Sequence, residues 1–188
     1  YTVQNLERLG VSAVVIEDKK GLKKNSLFGT DVKQEQDSIE NFCEKIKVGI
    51  NSKQTDEFMV IARIESLILG KGIEDALLRG RSYADSGANG VLIHSKDKSE
   101  ELVFQFVDNF KKDFDVPVIV VPTTYNHITL DEFKKLGVDI VIYANHLLRS
   151  AYPAMLNTAE EILKFGRTQE LEKKLMSVKE VINFIPSD

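Results

Sequence analysis

The sequence has a single cysteine, Cys43, in 188 residues, so no disulfide framework can form within the chain. That usage suits a reducing compartment. Cys43 sits in the helical pattern Ile39-Phe42-Cys43-Ile46 and reads as a packed thiol. No apolar run approaches the roughly 20 residues of a membrane span. The first residues lack the basic and apolar regions of a secretory signal. A cytoplasmic protein without membrane partners is expected. Positive charge is not in excess: 25 Lys and Arg stand against 29 Asp and Glu, for a net charge of -4. Nor do aromatics interleave with a basic stripe, so nucleic acid is not an expected partner. A Cys/His metal cluster, a glycine-rich nucleotide fingerprint after a strand and a serine nucleophile elbow are all missing. Gly70-Lys71-Gly72 is too short for a phosphate loop. Low-complexity tracts and flexible linkers are absent as well.

What is present is ordinary in amount and specific in order. With 43% hydrophobic and 29% charged residues, the chain can bury a core without disulfide or metal staples. Three segments repeat one pattern, a glycine followed by a β-branched run: Gly10 to Ile16, Gly87 to Ile93 and Gly137 to Tyr143. Glycine ends a helix in the left-handed conformation, and the continuous apolar run reads as a strand buried on both faces. Phe58 to Ala62 and Val116 to Val121 fit the same role, with Pro117 at a strand start where a missing N–H is tolerated. Helical patterns alternate with them around Asp37–Ile46, Ile73–Ala84, Leu102–Phe110 and Leu130–Leu136, the last behind Thr129 as N-cap. Such alternation, recurring about every 30 residues without hairpin signals, predicts a parallel β/α architecture.

After the fifth strand the pattern changes. Asn145 to Leu163 predicts a long helix with one apolar face, followed by helical patterns at Gln169–Met176 and Val178–Phe184. The expected organisation is therefore strands and helices over residues 1–144 and an oligomer-forming helical tail over 145–188. Five strands are fewer than a barrel's eight, and Tyr1 to Leu9 reads as a helix preceding a strand. The predicted fold class is a (β/α)8 TIM-type barrel whose first three βα units lie upstream of Tyr1. A complete five-stranded doubly wound sheet is the alternative.

In parallel β/α proteins, ligand groups gather at the C-terminal ends of strands. Here those ends read Glu17-Asp18-Lys19, Arg63-Ile64-Glu65, His94-Ser95-Lys96, Pro122-Thr123-Thr124 and Asn145-His146. Glu17 or Asp18 can hold a divalent cation such as Mg2+, directly or through water, because hard cations take oxygen ligands. Arg63 can clasp a phosphate or carboxylate with two prongs, which lysine cannot imitate. His94 can donate a hydrogen bond to an anionic group or move a proton. Asn25 offers an amide from a loop bounded by Gly21 and Gly29, and closure of that loop would exclude water. Lys19, Lys20, Lys23 and Lys24 include residues of a solvated basic loop. His127 is expected to be exposed, and His146 to serve as a cap or interface residue rather than in catalysis.

Glu17-Asp18-Lys19 followed by Asn25-Ser26 resembles the E-D-K-x5-N-S signature of the phosphoenolpyruvate mutase family, within the phosphoenolpyruvate mutase/isocitrate lyase superfamily. The resemblance continues through Val60–Glu65, Leu92–Lys96, Val121–Thr123, Ala144–His146 and Ser177–Glu180, in order along nearly the whole chain. It implies a modified β/α barrel whose last helix swaps between subunits of a dimer or tetramer. It also implies interconversion of phosphoenolpyruvate and phosphonopyruvate with Mg2+, forming a carbon–phosphorus bond for phosphonate biosynthesis. In family terms Asn25, Arg63 and His94 hold the migrating phosphoryl group, Glu17 is an acid of the metal's outer shell, and Lys23, Ser26 and Leu27 belong to a gating loop. Carbon–carbon lyases of the superfamily carry K-[KR]-C-G-H in that loop, whereas this chain has Lys23-Lys24-Asn25-Ser26. Phosphonopyruvate hydrolases, the alternative, usually have threonine at the position of Asn25. The family's catalytic Asp and direct Mg2+ ligands precede Glu17, so the chain as written is expected to be inactive alone. A non-catalytic oligomerising fragment without a metal site is the other reading.

Overall fold

Each of the five β-branched runs becomes a strand, and the polar residues that follow them fall at strand ends. The computed structural model describes residues 1–21 and 34–185. In chain order the elements are α1 (Thr2–Arg8), β1 (Ala13–Glu17), α2 (Ile39–Asn51), β2 (Met59–Ile64), α3 (Gly72–Asp85), β3 (Gly90–Ile93), α4 (Glu101–Asp113), β4 (Val118–Val120), α5 (Leu130–Leu136), β5 (Ile140–Val141), α6 (His146–Phe165) and α7 (Val178–Ile182). The chain divides into two units, Tyr1–Tyr143 and Ala144–Asp188.

In the first unit the five strands form one sheet in the order β1-β2-β3-β4-β5, every pair parallel. Gly10, Gly87 and Gly137 have φ of 76°, 94° and 96°, so each turns the chain out of its helix in the left-handed region. Thr129 caps α5 in a reciprocal box with Glu132. Pro117 lies just before β4, where its carbonyl accepts from Val91 N at 2.9 Å.

The two faces of the sheet differ, because successive side chains alternate. Ala62, Ile64, Val91, Ile93, Val118 and Val120 join Phe42, Ile46, Ala76, Tyr83, Phe106 and Phe110 of the helices in the main core. Ile61, Leu92, Ile119 and Val121 form a separate cluster on the other face, supported by Ala13, Met59 and Ile142, all from strands or their ends. All the helices of this unit that contribute to a core therefore cover one side. A sequential parallel sheet with its helices on one face is barrel-type β/α architecture. The doubly wound alternative requires helices on both faces and a reversal of strand order, and neither occurs among the described residues.

In the second unit α6 runs the 20 residues His146–Phe165 and ends at Gly166 in the left-handed region. No residue of α6 is buried. The helix expected over Gln169–Met176 is a run of turns instead. Its backbone bonds include Leu171 N to Thr168 O and Lys174 N to Leu171 O, both spanning three residues. Gly166 ends the helix before it in the left-handed region and Ser177 caps the next. No described helix is long and apolar enough to cross a membrane.

Candidate active site

Strand alternation sorts the charged residues at the ends of β1 and β2. In β1, Ala13 lies on the helix-free face, so Glu17 and Lys19 continue that face while Asp18 turns toward the helices. In β2, Ile61 sets the same parity for Arg63 and Glu65. Register then aligns them laterally, because Glu17 pairs with Arg63 and Ile64 with Ile93. One step further along, Glu65 and His94 are neighbours.

The result is a closed ring of two acids and two bases. Arg63 Nε donates to Glu65 Oε1 at 2.6 Å, and Arg63 Nη1 lies 3.3 Å from Glu17 Oε1. Lys19 Nζ lies 2.7 Å from Glu65 Oε2 and 3.9 Å from Glu17 Oε2. These side chains are nearly enclosed, with exposures of 16% for Arg63, 12% for Glu17, 8% for Lys19 and 0% for Glu65. Burial alone would raise the Glu65 carboxyl, but Arg63 and Lys19 outweigh it and hold it below the usual carboxylate range.

His94 follows β3 and is 3% exposed. Burial, reinforced by the charge of Arg63, pushes its imidazole down to about 4, so it is neutral at physiological pH. Among the described residues its Nδ1 is buried with no hydrogen-bond partner. An unsatisfied buried nitrogen is costly. Beside a guanidinium fork it marks a place where a ligand's polar atom would be stabilised.

Asp18, the other acid offered beside Glu17 as able to hold a cation, takes no part in that ring. Its Oδ1 accepts from Glu65 N at 2.9 Å, and its Oδ2 from Gln36 Nε2 and the Tyr83 hydroxyl, each at 2.7 Å. Arg79 Nη1 stands 3.3 Å from the same oxygen. Burial raises the Asp18 carboxyl above its ordinary value despite these donors. It is a structural hub tying β1 to α3 and to the segment before α2. Lys19 is likewise not a solvated loop residue, whereas Lys20 is half exposed against Glu35.

The other candidates divide plainly. Glu17, Arg63 and His94 come together. Lys23, Asn25, Ser26 and Leu27 lie outside the described residues. His127 is exposed and paired with Glu100 at 3.1 Å, and His146 opens α6 in the second unit. Thr124 Oγ1 donates to Ser95 O at 2.9 Å, linking the loops after β3 and β4. Glu65 and Lys19 look like rim or loop charges in the sequence. Their i, i+2 spacing from Arg63 and Glu17 was the signal that they share one face. Among the described residues, no group of three or more His, Cys, Asp or Glu side chains can hold a metal ion.

Parallel β/α architecture, with an arginine, two acids, a lysine and a buried neutral imidazole at adjacent strand ends, is the arrangement in which β/α-barrel proteins gather ligand groups at the C-terminal face of the sheet. The family model described as phosphoenolpyruvate phosphomutase matches residues 1–163. The chain belongs to that family.

A phosphoenolpyruvate phosphomutase of Tetrahymena pyriformis is 38% identical over 186 residues, covering 99% of this chain and 61% of the relative. The solved phosphoenolpyruvate phosphomutase from Streptomyces platensis subsp. rosaceus superposes with a TM-score of 0.91 at 41% identity, covering 96% of this chain and 62% of that one. A phosphonopyruvate hydrolase solved with oxalate and Mg2+ gives a TM-score of 0.86 at 37% identity, covering 97% of this chain and 61% of that one. The chain thus spans about three fifths of the length of these relatives.

Proposed function

We propose that the whole protein interconverts phosphoenolpyruvate and phosphonopyruvate. In the forward direction the enol oxygen–phosphorus bond breaks, a carbon–phosphorus bond forms at the methylene carbon, and the enol oxygen becomes a ketone. The observation that supports this reading best is Arg63 held between Glu17 and Glu65 on the face that His94 also shares. A migrating phosphoryl group spreads negative charge over its oxygens, so fixed donors are what the reaction demands of the protein. Arg63 supplies a delocalised two-pronged donor, and His94 a neutral imidazole that can hydrogen-bond without adding charge. Asn25 is proposed to bind the same group, with Lys23, Ser26 and Leu27 in the loop that gates access.

Mg2+ is the proposed cofactor, in keeping with the metal bound to the solved hydrolase. Glu17 is the described acid suited to meet its water shell, but the described residues do not by themselves form a metal site. The steps above therefore use this chain's own side chains. Self-association as a dimer or tetramer through residues 145–188 is proposed from the family resemblance, and light scattering would measure it.

Phosphonopyruvate hydrolysis is the second reading, favoured by the similarity to the solved hydrolase. It uses the same anion-binding face but delivers the phosphoryl group to water. Phosphorus NMR of the product formed from phosphonopyruvate separates the two. Phosphoenolpyruvate supports the mutase and inorganic phosphate the hydrolase.

A further inference from the structure

Glu65 is a carboxylate with no exposed surface whose two oxygens serve two different cations. Oε1 accepts from Arg63 Nε at 2.6 Å, and Oε2 faces Lys19 Nζ at 2.7 Å. The contact to Nε is mechanically distinctive. Nε lies at the root of the guanidinium plane, so a short bond there fixes how the plane rotates and where the terminal nitrogens point. Among the described residues, Arg63's other acid contact, Nη1 to Glu17, is longer at 3.3 Å, and Glu17 is the more exposed acid. Lys19 holds Glu65 from the opposite side, so the carboxylate cannot turn to follow a moving arginine.

We propose that Glu65 is a positioning residue that locks the Arg63 guanidinium through Nε, leaving the Nη1 contact with Glu17 as the one exchanged for an incoming phosphate or carboxylate oxygen. This rests on the reading above that Arg63 binds the migrating group, and it holds for mutase and hydrolase alike. The ring is neutral as it stands, with two acids against two bases. If Glu65 served only as a counter-charge, removing it would leave an excess cation and improve capture of an anionic substrate. If it positions Arg63, its loss degrades the reacting geometry instead.

The test is a double-mutant cycle of Glu65→Ala and Arg63→Lys in the whole protein, with phosphonopyruvate as substrate. Misplacing a binding group by about 1 Å can cost about 100-fold. Glu65→Ala is accordingly expected to lower kcat by about 100-fold with KM changed less than about threefold. In the Arg63→Lys background, which lacks Nε, Glu65→Ala is expected to cost little more. Multiplicative losses, or a lower KM with unchanged kcat, overturn the proposal. Glu65→Leu, which has no acceptor, passes through the same cycle if Glu65→Ala does not fold. A readout independent of turnover is the Arg63 Nε–H resonance in nitrogen-15 NMR. It should exchange slowly in the wild type and lose protection in Glu65→Ala or, if that variant fails to fold, in Glu65→Leu. Retained protection in the folded variant overturns the proposal even if the wild type proves inactive toward phosphonopyruvate, a result that would instead reject the functional reading.

Discussion

The hydroxyl of Tyr83 on α3 donates to Asp18 Oδ2 at 2.7 Å, joining residues 65 apart in the chain. Arg79 Nη1 reaches both partners, at 3.3 Å to Asp18 and 2.9 Å to the Tyr83 oxygen. Gln36 carries the network to Ser66 Oγ, which in turn donates to Asp75 at 2.6 Å. Asp18 thus fixes the framework on which its neighbours Glu17 and Lys19 face the other way. Removing Asp18 strands buried donors, one of them charged. Asp18→Ala should therefore destabilise by about 3–5 kcal/mol, and Tyr83→Phe by about 1–2 kcal/mol. Urea unfolding curves measure both. Unfolding midpoints equal to wild type would remove Asp18 from this role.

His94 carries a pH signature of its own. Its folded-state value is depressed to about 4 by burial and then by Arg63, so the unfolded chain binds the proton more readily. The stability it contributes is present above about 6.5, its unfolded value, and lost as pH falls toward 4. That loss is on the order of 3 kcal/mol. Asp18, with its raised carboxyl, acts oppositely: its contribution is present below its ordinary value and lost as pH rises through the raised one. Comparison of wild type with His94→Asn cancels Asp18 and isolates the histidine. The stability difference between the two should shrink as pH falls from 6.5 to 4, and a constant difference would contradict the assignment.

Arg63 is expected to matter through its fork rather than its charge. Arg63→Lys keeps the charge but loses the planar donors, and kcat on phosphonopyruvate should fall by about 100- to 1000-fold. Steady-state kinetics check this, with a thermal unfolding midpoint to verify folding. Activity within about threefold of wild type would show that charge alone suffices.

Asn25 bears on the fate of the phosphoryl group. On the family resemblance, Asn25→Thr should raise the share of inorganic phosphate among the products, as quantified by phosphorus NMR. An unchanged product ratio would mean that water is excluded by other residues.

Much of this fold was legible because it is written in periodicity. The β-branched runs after Gly10, Gly87 and Gly137 became β1, β3 and β5, and the capping residue Thr129 opens α5 with the expected box. The Gln169–Met176 segment was not legible: its local pattern is helical, but only turns form between Gly166 and Ser177. At the site, residue types at strand ends pointed to Glu17, Arg63 and His94. What they did not reveal was which of Glu17 and Asp18 shares a face with Arg63, because that depends on strand parity relative to a core visible only once the sheet is assembled. The burial of Lys19 is not legible for a related reason. Its partner Glu65 is on another strand, and a run of lysines looks solvated until that strand is placed beside it. The roles of Lys23, Asn25, Ser26 and Leu27 were legible only through the family signature.

The most direct measurement is phosphorus NMR of phosphonopyruvate incubated with the whole protein and Mg2+. The expected result is loss of the phosphonate signal with matching growth of phosphoenolpyruvate, the downhill direction. Inorganic phosphate as the sole product, or no consumption of phosphonopyruvate at all, would contradict the mutase assignment.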